Sequence, residues 1–238
     1  DGEAVTSVDY QNTNISIRLD DHFFDQLNSG GDIELRNVKD GEVVEEISAD
    51  KILKEISFGI WRVGDPGVQF EDTIQNMHTV KNTGRINSSN PCSEYMSIDN
   101  TACNLASLNL LEFTDLQGNF DVEGFQYAVD VVAVGQNILN QSSGYPIKSV
   151  AQISPELNNI GLGYANIGAA LMRKGLSYDS DEGRQFAASI TALLTGTAYR
   201  TSANLAENMG TFEHFEFNKN PMMDVIAKHK KGLDNIVW

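Results

Sequence analysis

The sequence predicts a mixed α/β fold, on three observations. Ile15, Ile17 and Leu19 alternate with Ser16 and Arg18, the period of a half-buried strand. Later segments place apolar residues at helical spacing, most extensively beyond Asn119. Between these regions, clusters of Gly, Pro, Asn and Asp mark turns at regular points.

The first strand is expected within Val8 to Leu19. Asp20 or Asp21 can accept from the free N–H groups of a helix start, so a short helix should follow to Leu27. Asn28-Ser29-Gly30-Gly31 closes it, and Asp32 to Val44 reads as a strand and turn with Asp40-Gly41 at the bend. With Ser48 as a cap, Ile52, Leu53, Ile56 and Ile60 share one helical face, which predicts a helix to Arg62. Gly64-Asp65-Pro66-Gly67 stops it. Thr73 to Asn104 is rich in Asn, Ser and Gly and shows neither period; a loop of that length in a compact chain marks function or disorder.

Helices are expected at Val122 to Ser142, around Gly163 to Lys174, and from Ser180 to Met209. Asp179-Ser180-Asp181-Glu182 caps the last, and Gly210 suits its C-terminal turn. Gly161-Leu162-Gly163 with Gly168 lacks the spacing of a dinucleotide fingerprint and has no clear strand before it, so helix packing is its expected role. Met222 to Lys231 is helix-like; Lys228, His229, Lys230 and Lys231 fall where a helix C-terminus favours positive charge. No repeat, low-complexity tract or linker divides the chain, and residues 1–238 are expected to form a single partial domain.

With 238 residues and 41% hydrophobic content, the chain can bury a sizeable core. A formal net charge of -16 excludes a role built on clustered Lys and Arg against a nucleic-acid polymer. A small phosphorylated ligand stays compatible, because helix N-termini hold phosphate with backbone N–H groups. Apolar stretches such as Val129 to Val134 and Ile167 to Met172 fall well short of the roughly 20 residues that span a bilayer, so a soluble chain is expected. The chain opens on Asp1 without a leader pattern and ends on Asp234-Asn235-Ile236-Val237-Trp238 without a stop signal, which reads as an internal piece of a longer protein.

Two cysteines 11 positions apart form neither a secreted disulfide framework nor a C-x-x-C pair, and a reducing cytoplasm fits them. His22, His78, His214 and His229 show no ligand spacing, and Asp179 to Gly183 lacks the further acids of a calcium loop, so no metal site is expected. Trp61 and Tyr10 read as packing aromatics.

The segment Asn90-Pro91-Cys92-Ser93-Glu94 sets an amide, a thiol and a carboxylate at every second residue. Pro91 fixes its own φ and keeps Asn90 out of the helical region, so the segment is expected to be extended, with alternate side chains on one face. Taken alone, Cys92 reads more readily as a small buried hydrophobe, as most free cysteines do, than as a reactive thiol.

The same segment is followed by Cys103-Asn104-Leu105-Ala106-Ser107-Leu108-Asn109-Leu110. Gly64-Asp65-Pro66-Gly67 and Asn82-Thr83-Gly84-Arg85-Ile86-Asn87 precede it, and Gly161-Leu162-Gly163-Tyr164-Ala165-Asn166 comes later. Together these segments resemble the ribonucleotide reductases, in particular their adenosylcobalamin-dependent branch, over nearly the whole chain. The resemblance implies part of a ten-stranded α/β barrel with the Cys92 loop as its catalytic finger. It implies reduction of ribonucleotides, with diphosphates the expected substrates, to 2′-deoxyribonucleotides by thiyl-radical chemistry.

In that family the cysteine matching Cys92 becomes the thiyl and abstracts the 3′ hydrogen. The glutamate matching Glu94 takes the proton of the 3′ hydroxyl, and the asparagine matching Asn90 hydrogen-bonds the sugar hydroxyls. Cys103 matches one of two reducing cysteines that finish as a disulfide, its partner expected upstream of Asp1. Adenosylcobalamin is the implied cofactor. A thioredoxin-type reductant, nucleotide effectors and a second copy of the chain are the implied partners. Two other readings stand beside this one: a large subunit that receives its radical from a metal-containing subunit, and a silent nucleotide-binding module in which Cys92 only packs.

Overall fold

The structure is a computed structural model and describes residues 13–236. The stretch Val8 to Asn12 of the expected first strand, and Tyr10 with it, lie outside the described residues. The chain divides into two compact units, one holding residues up to His78 with Ile86–Ser97, the other Thr79–Arg85 with the residues from Ile98 onward.

In the first unit, strand β1 (Ser16–Leu19) lies parallel to β4 (Gly67–Phe70), with Ile17 opposite Val68 and Arg18 opposite Gln69. Alternation sends Ile17, Leu19 and Val68 into a core with Phe23, Ala49 and Ile56, and turns Arg18 and Gln69 to the other face. Helix α1 (Asp21–Ser29) starts at Asp20, whose carboxylate accepts the Phe23 N–H at 2.9 Å, and ends at Gly30 in the left-handed region. Strands β2 (Asp32–Arg36) and β3 (Val43–Ser48) form a hairpin, with the expected strand and turn continued by a second strand and Gly41 at φ 77° in its bend.

Helix α2 (Ala49–Val63) follows, and Gly64 ends it in the left-handed region. Ser48 makes no capping bond, against expectation, because it is held in β3 opposite Asp32. Trp61 is 80% exposed beside Phe58 rather than packed in a core. Helix α3 (Glu71–Asn76) comes directly after β4.

In the second unit, strand β5 (Asn104–Asn109) runs parallel to β6 (Ile160–Ala165), with Asn104 opposite Ile160 and Leu105 opposite Gly161. The crossover between them holds helices α4 (Val122–Ser142) and α5 (Lys148–Leu157). Helices α6 (Ile167–Lys174), α7 (Asp181–Met209) and α8 (Phe215–Gly232) complete it. Leu110, Phe125, Val129, Ala170, Ile190 and Leu194 form its main core. Asp121 caps α4 through the Gly124 N–H and Ser180 caps α7 through the Gly183 N–H, each at 3.0 Å.

One reading is corrected here. Gly161 and Gly163 sit in strand β6, not in a helix-packing segment; glycines weaken a strand signal, and parallel strands covered by helices lose the alternation that betrays a surface strand. Helix α5 has no counterpart among the expected helices; it carries Pro155 near its end, a residue that argues against a helix when read locally. Strand pairing among the described residues is confined to three two-stranded ladders, so these six strands form no closed barrel. No helix among the described residues is long and apolar enough to cross a membrane.

Candidate active site

The segment around Cys92 is a tight hairpin tip. Ser89 and Met96 form an antiparallel bridge, and the Asn90 N–H donates to the Tyr95 carbonyl at 3.4 Å. Inside that pair the Ser93 N–H donates to the Asn90 carbonyl at 3.1 Å, closing a turn with Pro91 in its second position. Ser93 takes φ 64° to redirect the chain. The expected extended segment is therefore replaced by a turn. A proline φ serves the second position of a turn as well as it serves a strand, and the Ser93 N–H bond decides between them.

This changes what each side chain does. The Asn90 Oδ1 accepts the Tyr95 N–H at 3.0 Å, while its Nδ2 has no partner among the described residues. Cys92 is exposed and its thiol is free, which is not the buried position of a packing cysteine. Glu94 is exposed, and its carboxylate has no hydrogen bond or ion pair among the described residues. Amide donor, thiol and carboxylate thus all stay open in one four-residue loop and its flank.

Beneath the loop lies the polar face of β1 and β4. Gln69, 6% exposed, donates from Nε2 to Ser89 Oγ at 2.7 Å and to Ser93 Oγ at 2.8 Å. Its Oε1 accepts from Arg18 Nε at 3.1 Å and Nη2 at 2.9 Å. Arg18 Nη1 also reaches Glu71 at 3.1 Å and the Ile86 carbonyl at 2.6 Å. Arg18 was visible in the sequence as the polar half of the first alternation. Gln69, in a four-residue strand after a proline turn, gave no signal.

Cys103 belongs to the second unit and is half-buried, immediately before β5. The Ala102 N–H donates to Ser154 Oγ of α5 at 3.0 Å. Gln136 of α4, 3% exposed, donates to the Asn104 carbonyl at 2.9 Å and the Gly161 carbonyl at 2.7 Å. Its Oε1 is buried without a partner among the described residues. Gly161 lies close by: a Cβ there would stand 3.5 Å from Cys103 Sγ. The contact with the thiol would be an ordinary one; what this glycine makes room for is the Leu105 side chain, whose Cδ2 would lie 2.3 Å from a Cβ.

The Asn82-Thr83-Gly84-Arg85 segment is tied within the second unit. The Asn82 N–H donates to Asn218 Oδ1 at 3.0 Å, and Asn218 Nδ2 donates to Thr83 Oγ1 at 2.7 Å. His214 stands between Thr83 and Glu156, at 3.3 and 3.1 Å. Among the described residues no group of three or more His, Cys, Asp or Glu side chains is placed to hold a metal ion.

A family model described as ribonucleotide reductase, barrel domain, matches residues 2–235. A protein of Streptomyces coelicolor named vitamin B12-dependent ribonucleotide reductase is 43% identical over 250 residues, covering 100% of this chain and 26% of the relative. One of the same name from Rhodopirellula baltica is 43% identical over 99% of this chain and 23% of its own length. A Thermoplasma acidophilum protein named vitamin B12-dependent ribonucleoside-diphosphate reductase is 27% identical over 84% of this chain and 26% of its own length. The chain therefore spans about a quarter of the length of these relatives. On the match across residues 2–235, this chain belongs to the ribonucleotide reductase family and carries sequence of its barrel domain.

Proposed function

We propose that the chain is the central part of the catalytic barrel of an adenosylcobalamin-dependent ribonucleotide reductase, a cytoplasmic enzyme that reduces ribonucleoside diphosphates and supplies DNA precursors. On this reading both units belong to one domain. Its ten-stranded barrel is completed by strands from the rest of the protein, and the Cys92 hairpin is its finger loop. The observation that carries the proposal is the open thiol of Cys92 at the hairpin tip, with the unpartnered carboxylate of Glu94 two residues on. The relatives named for vitamin B12 favour this branch over one fed by a separate metal subunit.

The group that this reading sets against the cofactor is the Cys92 thiol. Cys92 fits it, since hydrogen-atom removal needs a thiol that is exposed and not engaged elsewhere. When bound, adenosylcobalamin supplies the hydrogen-atom acceptor that leaves a thiyl at Cys92, by homolysis of its carbon–cobalt bond.

The thiyl then takes the hydrogen atom from C3′ of the ribose; an S–H bond forms, a C–H bond breaks, and the unpaired electron passes to C3′. Glu94 accepts the proton of the 3′ hydroxyl, a role that requires hydrogen-bond reach in the complex. The Asn90 Nδ2 group, left open by the turn, donates to a sugar hydroxyl. The 2′ hydroxyl leaves as water. Cys103 and a partner cysteine outside this sequence give up two electrons and two protons, one proton leaving with the 2′ hydroxyl as water and the other forming the new C–H bond at C2′, and join as a disulfide, which a thioredoxin-type protein reduces; Glu94 returns its proton to the 3′ oxygen. Cys92 returns its hydrogen atom to C3′. Nucleotide effectors and a homodimer belong to the same reading of the full-length protein.

The test compares Cys92→Ser with Cys103→Ser in the full-length protein. Cys92→Ser should abolish both product formation and any consumption of substrate, whereas Cys103→Ser should lose product formation while still consuming substrate. Full reductase activity in both variants would overturn the proposal.

A further inference from the structure

The hairpin that presents Cys92 contributes no residue from Asn90 to Glu94 to a hydrophobic cluster among the described residues. Packing therefore does not set the position of the sulfur, and directional bonds must. The Gln69 side chain supplies two of them, to hydroxyls on either side of Cys92. Ser89 passes the hold to the loop backbone, its Oγ donating to the Asn90 carbonyl at 2.7 Å.

We propose that Gln69, oriented by Arg18, is a positioning residue for the Cys92 thiol. The role rests on the reading of Cys92 as the radical site.

The chemistry of the network leaves one arrangement. A carboxamide has two N–H donors and one oxygen with two lone pairs, and a guanidinium only donates. Two N–H bonds from Arg18 therefore force Oε1 toward β1 and Nε2 toward the loop. All four valences of the Gln69 amide are then used. The charge on Arg18 polarises the amide and strengthens both outgoing bonds. Arg18 itself is fixed by Glu71, with only 17% and 14% of the two side chains exposed, and by the Ile86 carbonyl. The chain from Glu71 to Ser93 is thus a continuous polar scaffold, closed by the contact of Ser89 Oγ with Ser93 Oγ at 3.4 Å.

Hydrogen-atom transfer is sensitive to sulfur–carbon distance, so loss of this tether should act on the chemical step more than on substrate binding. In the full-length holoenzyme, Gln69→Leu should lower kcat roughly 10- to 30-fold, the scale of two lost hydrogen bonds, with KM for the nucleotide within about twofold. Peptide-resolved alkylation by iodoacetamide, without cofactor or substrate, should show a changed rate at Cys92, by about threefold or more, and an unchanged rate at Cys103. Ser89→Ala, a milder change, should show the same pattern at smaller size. Adding Ser89→Ala to Gln69→Leu should cost less than Ser89→Ala alone, because the Gln69–Ser89 bond is already gone and the Ser89 Oγ bond to the Asn90 carbonyl is what remains to be lost.

A parental Cys92 alkylation rate in both single variants would overturn the assignment, as would additive effects in the double variant. Failure of the underlying reading is visible separately. If Cys92→Ser remained an active reductase the radical assignment would fall, while the alkylation rates would still report whether Gln69 holds the turn.

Discussion

Each cysteine is gripped by a buried glutamine from a neighbouring element, but the two grips differ in kind. Gln69 donates to side-chain hydroxyls of Ser89 and Ser93 around an exposed thiol. Gln136 donates to backbone carbonyls of Asn104 and Gly161 beside a half-buried one. The first grip depends on serines at set positions and is saturated. The second needs only a backbone and leaves one oxygen unsatisfied. Cys103 also stands immediately before a strand ladder, in the unit that holds the Phe125 core, whereas among the described residues no hydrophobic cluster includes a residue of the Cys92 turn. On the proposed reading, the thiol that meets substrate stays open and is aimed by hydrogen bonds, and the thiol that follows later is framed by its surroundings.

That contrast can be broken from the packing side first. Phe125→Ala, in the core of the second unit, should cost about 3–5 kcal/mol and speed alkylation of Cys103 without changing Cys92; unfolding curves and peptide-resolved labelling read both. Gly161→Ala brings a Cβ to 2.3 Å from Leu105 Cδ2. Because Leu105 is 67% exposed its side chain can swing aside, so the expected loss is only about 1 kcal/mol, near the bottom of the overpacking range, with slower alkylation of the crowded Cys103.

Gln136→Met sharpens the comparison between the two amides. It removes two hydrogen bonds but also the orphan oxygen, so it should destabilise by about 1 kcal/mol or less in denaturant titration.

The smallest effect concerns Asp130, which joins α4 to α7. The Thr201 hydroxyl, and then Arg200, hold its carboxyl below the usual carboxylate range. A depressed folded pKa contributes stability that is present above the unfolded value of about 3.9 and is lost as pH falls through the folded value. The pair is partly exposed and screened, so Asp130→Asn should cost under about 1 kcal/mol at neutral pH and nothing in strong acid, as seen in unfolding at a series of pH values.

The legible parts of the molecule are those with local causes. Asp20, Asp121 and Ser180 announce helix starts, and the Asn90-Pro91-Cys92-Ser93-Glu94 and Cys103 segments announce the family. What was hidden depends on partners distant in sequence. Strands β5 and β6 exist because they pair with each other across two helices, and nothing within Ile160–Ala165 reveals that. Gln69 is one glutamine among several until Arg18 lies opposite it in the ladder and two serines lie above it. The left-handed Ser93 could not be read from its residue type, since serine has no preference for positive φ.

The most direct measurement of the central claim is hydrogen exchange from labelled adenosylcobalamin into solvent, followed in the full-length protein with nucleotide present. Exchange should proceed in the parent and in Cys103→Ser, and should stop in Cys92→Ser, because only the Cys92 thiol hands the label on. Exchange that persists in Cys92→Ser would place the radical on another group and contradict the account.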